Sequence, residues 1–143
     1  MITKTFLRLI RFGVPFYQSL DELGISGTRD TSKRFSKYGL KSILKDEHSV
    51  LDIGCNTGFF SIMTSGFVKS VDAFDNKFGN VLTGQIAMFS LGVKNVRLFR
   101  SSIEEFSTSN VYNIVYSFAV HHWISLSFKE YAQKLSGLDK PGG

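Results

Sequence analysis

The spacing of apolar side chains along the chain changes period near residue 48. Before that point it is helical. Phe6, Leu9, Ile10 and Gly13 fall at helical spacing until Pro15 stops the pattern, which predicts an amphipathic helix packed on the rest of the protein. A helix lying on a membrane surface is the alternative. From Asp30 to Lys45, Phe35, Tyr38, Ile43 and Leu44 mix with Lys33, Arg34, Lys37 and Lys41 around an interruption at Gly39, and one or two lead-in helices are expected. Then Ser49-Val50-Leu51-Asp52-Ile53, a short β-prone run ending at Gly54, reads as a buried strand. Similar runs at Val68–Asp72, Asn95–Phe99 and Tyr112–Phe118 alternate with helical candidates at Gly58–Ser65, Lys77–Leu91 and Ser125–Leu135. Strands alternating with helices at this spacing predict an α/β fold: a doubly wound, mostly parallel sheet with helices on both faces, preceded by N-terminal helices. Residues 1–48 form the lead-in or cap, and 49–143 the sheet domain.

With 143 residues, 43% of them hydrophobic, one core can be buried without staples. A lone cysteine, Cys55, cannot close an internal disulfide, so a reducing, cytoplasmic compartment is expected, and no metal-ligand cluster is visible. The first twenty residues are apolar, but Arg8 and Arg11 interrupt them, so neither a signal peptide nor a transmembrane segment is predicted. The net charge of +5 is concentrated at the front: residues 1–48 carry nine Lys/Arg against five Asp/Glu, the remainder eight against seven. A basic front end is either a solvated helix face or an attractor for nucleic acid, anionic lipid or an acidic substrate.

The stretch VLDIGCNTGFF, Val50 to Phe60, carries the chemistry. A strand runs into Gly54, turns through Cys55-Asn56-Thr57 and enters a helix at Gly58; glycines let the backbone turn sharply and leave no side chain between loop and ligand. Twenty residues after Asp52 comes Asp72, read as the end of the second strand, where a carboxylate can accept both ribose hydroxyls of a nucleoside. Asp75 is the rival for that role. A dinucleotide fingerprint needs G-x-G-x-x-G to admit a pyrophosphate, whereas here the pattern is Gly54-x-x-x-Gly58. Asp52, just before the loop, would repel a pyrophosphate but favour an ammonium group. A nucleoside bearing an amino acid fits both features.

VLDIGCNTGFFSI resembles motif I of the class I S-adenosylmethionine-dependent methyltransferases, SVDAFD their second motif, YNIVYSFAVHHWI their fourth, and LDKPGG the turn before their fifth strand. The likeness spans roughly Val50 to Gly143. It implies a Rossmann-like sheet in the order 3-2-1-4 with further strands beyond the terminal Pro-Gly-Gly, so the fold is expected to stop after the fourth strand. That would leave strand four as an exposed edge through which copies could self-associate. It also implies S-adenosyl-L-methionine as cofactor and methyl transfer as the activity. By position, Asp52, Gly54, Cys55, Asn56 and Gly58 would line the methionine and ribose side, Asp72 the ribose, and Ala73 and Phe74 the adenine. Ser102, where the family usually carries an acidic or amide residue, would face the adenine amino group, with Ile103 on the ring and Ser101 as the register alternative. Ser117 and Phe118 would flank the cofactor. His121 and His122 are the candidate general bases for a hydroxyl acceptor, with Trp123 toward the substrate pocket. The acceptor is expected to be a small molecule; the alternatives are RNA, held through Lys33, Arg34, Lys37 and Lys41, or a non-catalytic scaffold role.

Overall fold

A computed structural model describes residues 2–118 and 128–138, apart from the side chains of Phe128, Tyr131 and Ala132. Four parallel strands run in the order β3-β2-β1-β4: β1 (Ser49–Ile53), β2 (Ser70–Asp75), β3 (Val96–Arg100) and β4 (Ile114–Tyr116). Alternation along β1 sets the layers. Val50 joins Phe60, Val71, Ala73, Val81 and Leu98 in one core, while Leu51 and Ile53 join Phe74, Ile103, Phe106 and Tyr112 in the other. The first face is covered by α2 (Thr31–Lys37), α3 (Leu40–Ile43), α4 (Phe59–Thr64) and α5 (Phe78–Leu91); the second takes Leu138, beyond α6 (Phe128–Ser136).

The lead-in is knitted to the sheet domain. Helix α1 (Ile2–Ile10) lays Leu7 and Ile10 against Ala87, Ile86 and Leu91 of α5, and Phe16, Leu20 and Ile25 close the same cluster over Phe59 and Ile62. Just beyond α1, the Arg11 guanidinium donates to Asn80 Oδ1 and Thr83 Oγ1 at 3.4 Å each. Thr31 donates two buried hydrogen bonds to Ser19, from its amide to Oγ and from its hydroxyl to the carbonyl, and Asp30 caps α2 by accepting the Lys33 amide at 2.9 Å.

The second strand begins and ends later than the apolar run suggests. A short 3-10 turn, Ser65–Phe67, holds Val68 back from the sheet, and the ladder takes Ser70 through Asp75 instead. Asp72 therefore sits mid-strand opposite Leu51, while Asp75 is the terminal residue, paired with Arg100. A carboxylate inside a strand normally argues against the strand. Here Tyr112 Oη donates to Asp72 at 2.7 Å, and Arg97 holds it with two donors at 3.1 Å from the adjacent strand.

Candidate functional site

Where β1 gives way to α4, three residues adopt left-handed backbone: Gly54 at φ +65°, Asn56 at +58° and Gly58 at +73°. Asn56 is the residue type after glycine best suited to this region, and its side chain accepts the Thr57 amide at 2.8 Å, steadying the turn. The loop is drawn tight from both sides. The Cys55 amide continues the ladder to the Phe74 carbonyl, and Gly58 closes on the Cys55 carbonyl. On the far side Gly84 of α5 packs so closely that an added Cβ would lie 2.3 Å from the Thr57 carbonyl oxygen and from Leu98 Cδ2.

A cavity of about 600 Å³ opens at this loop, within the range of small-molecule sites. From the expected residues it gathers Asp52, Gly54, Cys55, Asn56, Phe74, Ser102, Ile103 and Phe118, together with Ser101. Four expected residues lie off its lining. Gly58 is the N-cap of α4 and faces Leu98. Ala73 is fully buried in the core, and Ser117 follows β4 without reaching the cavity wall.

Asp72 is the fourth, and the correction matters. It is three residues back from the strand end, about 10 Å at ordinary strand rise, and an odd offset turns it to the opposite sheet face. Asp75 lines the cavity in its place. Its carboxylate accepts the Asn56 amide at 3.0 Å, the Lys77 amide at 2.9 Å and Asn80 Nδ2 at 3.2 Å, so it ties the loop to the end of β2. With about four lone-pair positions on a carboxylate, an acceptor position remains for a ligand hydroxyl.

Asp52 is 3% exposed and accepts Ser61 Oγ at 2.5 Å. Burial raises its carboxyl to about 7; the Ser61 hydrogen bond opposes this, nearby Asp75 adds to it, and Arg34 opposes it. A cation arriving beside Asp52 would favour the ionised form. Burial also pushes the Cys55 thiol well up, which disfavours the reactive thiolate.

Sequence reasoning expected a cap in residues 1–48 but did not assign Gln18, Arg29 or Arg34 to this cavity. Gln18, buried, accepts the Phe59 amide at 3.0 Å and Thr57 Oγ1 at 3.2 Å, tying the front segment to the loop it covers. Tyr17, Arg29 and Arg34 line the same space. Arg34 lies 5.7 Å from the Tyr38 ring and 5.8 Å from the rings of Phe60 and Phe118, a cation held by aromatic faces. Of the four basic residues expected to hold RNA, Arg34 turns to the cavity, Lys41 lies over Phe67, Lys33 pairs with Asp30 and Lys37 is exposed. The only available signal was Gln18 and Arg29 in a segment too short of periodicity to be assigned. His121, His122 and Trp123 lie outside the described residues.

Solved structures share this fold. A S-adenosylmethionine-dependent methyltransferase from Aquifex aeolicus superposes with a TM-score of 0.62 over 78% of the chain at 25% identity. One from Thiobacillus denitrificans, in complex with S-adenosyl-L-homocysteine, gives 0.68 over 78% at 16%. The chain has the class I methyltransferase fold. The bifunctional kinase-methyltransferase WbdD gives 0.74 at 20% identity over 94% of the chain, so this likeness takes in most of the lead-in as well. This chain spans 59%, 45% and 34% of the three proteins respectively. No family model matches the sequence, and no curated protein does. In the class I methyltransferase frame, the sheet order expected from the sequence is the observed one, and the cavity lies at the carboxyl ends of β1 and β2, where open α/β sheets bind ligands.

Proposed function

We propose that the cavity binds S-adenosyl-L-methionine and that the protein of which this chain is part transfers its methyl group to a small-molecule acceptor. The observation that carries the reading is an acid and a base lining one cavity, buried Asp52 and ring-stacked Arg34, with a second acid, Asp75, beside the glycine loop. An amino acid's ammonium and carboxylate ask for that acid and base, and a ribose diol asks for the second acid. Asp52 would hold the ammonium, Arg34 the carboxylate, Asp75 the ribose, and Asn76, Ser101, Ser102 and Ile103 the adenine. The Ser102 hydroxyl already accepts the Glu105 amide at 3.2 Å, which leaves its own hydrogen to donate to the ring.

The cofactor supplies a methyl group activated by its sulfonium and leaves as S-adenosylhomocysteine. What the chain's own residues do is bind, orient and exclude water. Residues 1–48 would act as the cap: Tyr17 and Gln18 close the cavity from the front, and Gln18 couples cap position to the glycine loop. His121 or His122 would remove a proton from a hydroxyl acceptor.

Calorimetric titration tests the reading. Binding of S-adenosylmethionine and S-adenosylhomocysteine, with none of NAD, is expected. A folded sample that binds neither sulfur nucleoside, or binds NAD as well, would overturn it.

A further inference from the structure

Helix α1 is amphipathic, and among the described residues only part of its apolar face is covered. Leu7 and Ile10 pack on α5, yet Ile2, Phe6 and Leu9, at helical spacing on the outer face, are 87%, 49% and 67% exposed. Phe12, directly after the helix and in left-handed backbone, is 95% exposed, and Val14 follows it at 57%. An amphipathic helix normally buries the whole of its apolar face. Among the described residues nothing covers this outer face.

Charge identifies the cover. Lys4, Arg8 and Arg11 punctuate the same segment, and the first acidic residue in the chain is Asp21. Lys4 reaches back to the Gly24 carbonyl and Arg11 is turned onto α5, which leaves Arg8 exposed at the edge of the apolar face. A second copy docked face to face would bring like charges together, for the segment from Ile2 to Val14 holds no acid of its own. An anionic lipid surface offers instead an apolar layer for the Phe and Leu side chains and phosphate charge for the basic ones. No described helix is long and apolar enough to cross a membrane, so the contact is one of lying on the surface.

We propose that the outer face of α1, with Phe12 and Val14, docks the protein on anionic lipid bilayers. The inference does not rest on methyl transfer and stands or falls separately from it.

Sedimentation with phosphatidylcholine vesicles, with and without phosphatidylglycerol, tests it. The unaltered chain is expected to sediment with the anionic vesicles alone and to be released by raised salt. Replacing Phe6, Leu9 and Phe12 together by Ser is expected to weaken retention by about tenfold or more, because each carries a large apolar area into the interface. The three side chains are exposed, so circular dichroism and thermal unfolding should match the parent. Three results would overturn the proposal. These are no retention on anionic vesicles at low salt, equal retention of the triple variant, or a lipid-free dimer in sedimentation velocity that the substitutions dissolve.

Discussion

Replacing Asp52 by Asn should stabilise the protein at alkaline pH while weakening its hold on the proposed cofactor. The carboxyl is buried at the end of β1 and is raised to about 7 from an ordinary value of 3.8, chiefly by burial. Between those values the folded chain keeps a proton that the unfolded chain has lost. The unfolded state then binds fewer protons, so stability falls as pH rises, and the loss is complete above the folded value. About three pH units at about 1.4 kcal/mol each make this roughly 4 kcal/mol. Asparagine keeps an oxygen for the Ser61 hydroxyl and carries no charge. The variant should therefore resemble the parent near pH 4 and exceed it by several kcal/mol at pH 8, on the order of 10 °C in midpoint for a chain of this size. Urea unfolding of both proteins across that range is the assay. Taking the difference between them cancels every other titrating group. A difference that stays flat with pH would refute the reasoning.

Other consequences can be checked alongside. If Asp52 receives an ammonium group, binding of S-adenosylmethionine below pH 7 must release a proton, so its enthalpy should vary with the ionisation enthalpy of the buffer and the variation should fade above pH 8. Gln18→Ala strips the partner from the buried Phe59 amide and should cost about 1–3 kcal/mol, with hydrogen exchange accelerating at that amide before the β1 amides. Gly84→Ala, which favours an isolated helix by about 1 kcal/mol, should instead destabilise this one by about 2 kcal/mol or more, since its Cβ would meet the Thr57 carbonyl. Denaturant midpoints decide the sign.

Much of the fold was legible because periodicity reports burial. The change from helical to strand spacing at residue 48 marks the start of the sheet, the alternation that follows points to a parallel doubly wound fold, and the strand order that is observed came from the family resemblance. The glycine loop was equally plain, since Gly54 and Gly58 stand at two of its three left-handed positions, where glycine is the default residue. The strand-end acid was harder. SVDAFD offers two aspartates, and spacing from the loop cannot separate them; what separates them is where the ladder stops, which depends on the 3-10 turn at Ser65–Phe67 and on Tyr112 and Arg97 sheltering Asp72. Ala73 went with Asp72, as the same register shift carries it into the core. Arg34 read as one of a basic stripe because sequence shows charge but not direction; Phe60 and Phe118, distant in the chain, turn it inward. The role of Gln18 was invisible for a similar reason, its partners lying some forty residues away.

The account turns on Asp75, and calorimetry of S-adenosylmethionine with the parent, Asp75→Asn and Asp72→Asn measures it most directly, each protein first shown to be folded by thermal unfolding. Affinity should fall by about tenfold or more in Asp75→Asn, the loss of a charge-assisted hydrogen bond, and stay at the parent level in Asp72→Asn. Loss of binding in Asp72→Asn with Asp75→Asn unaffected would contradict it.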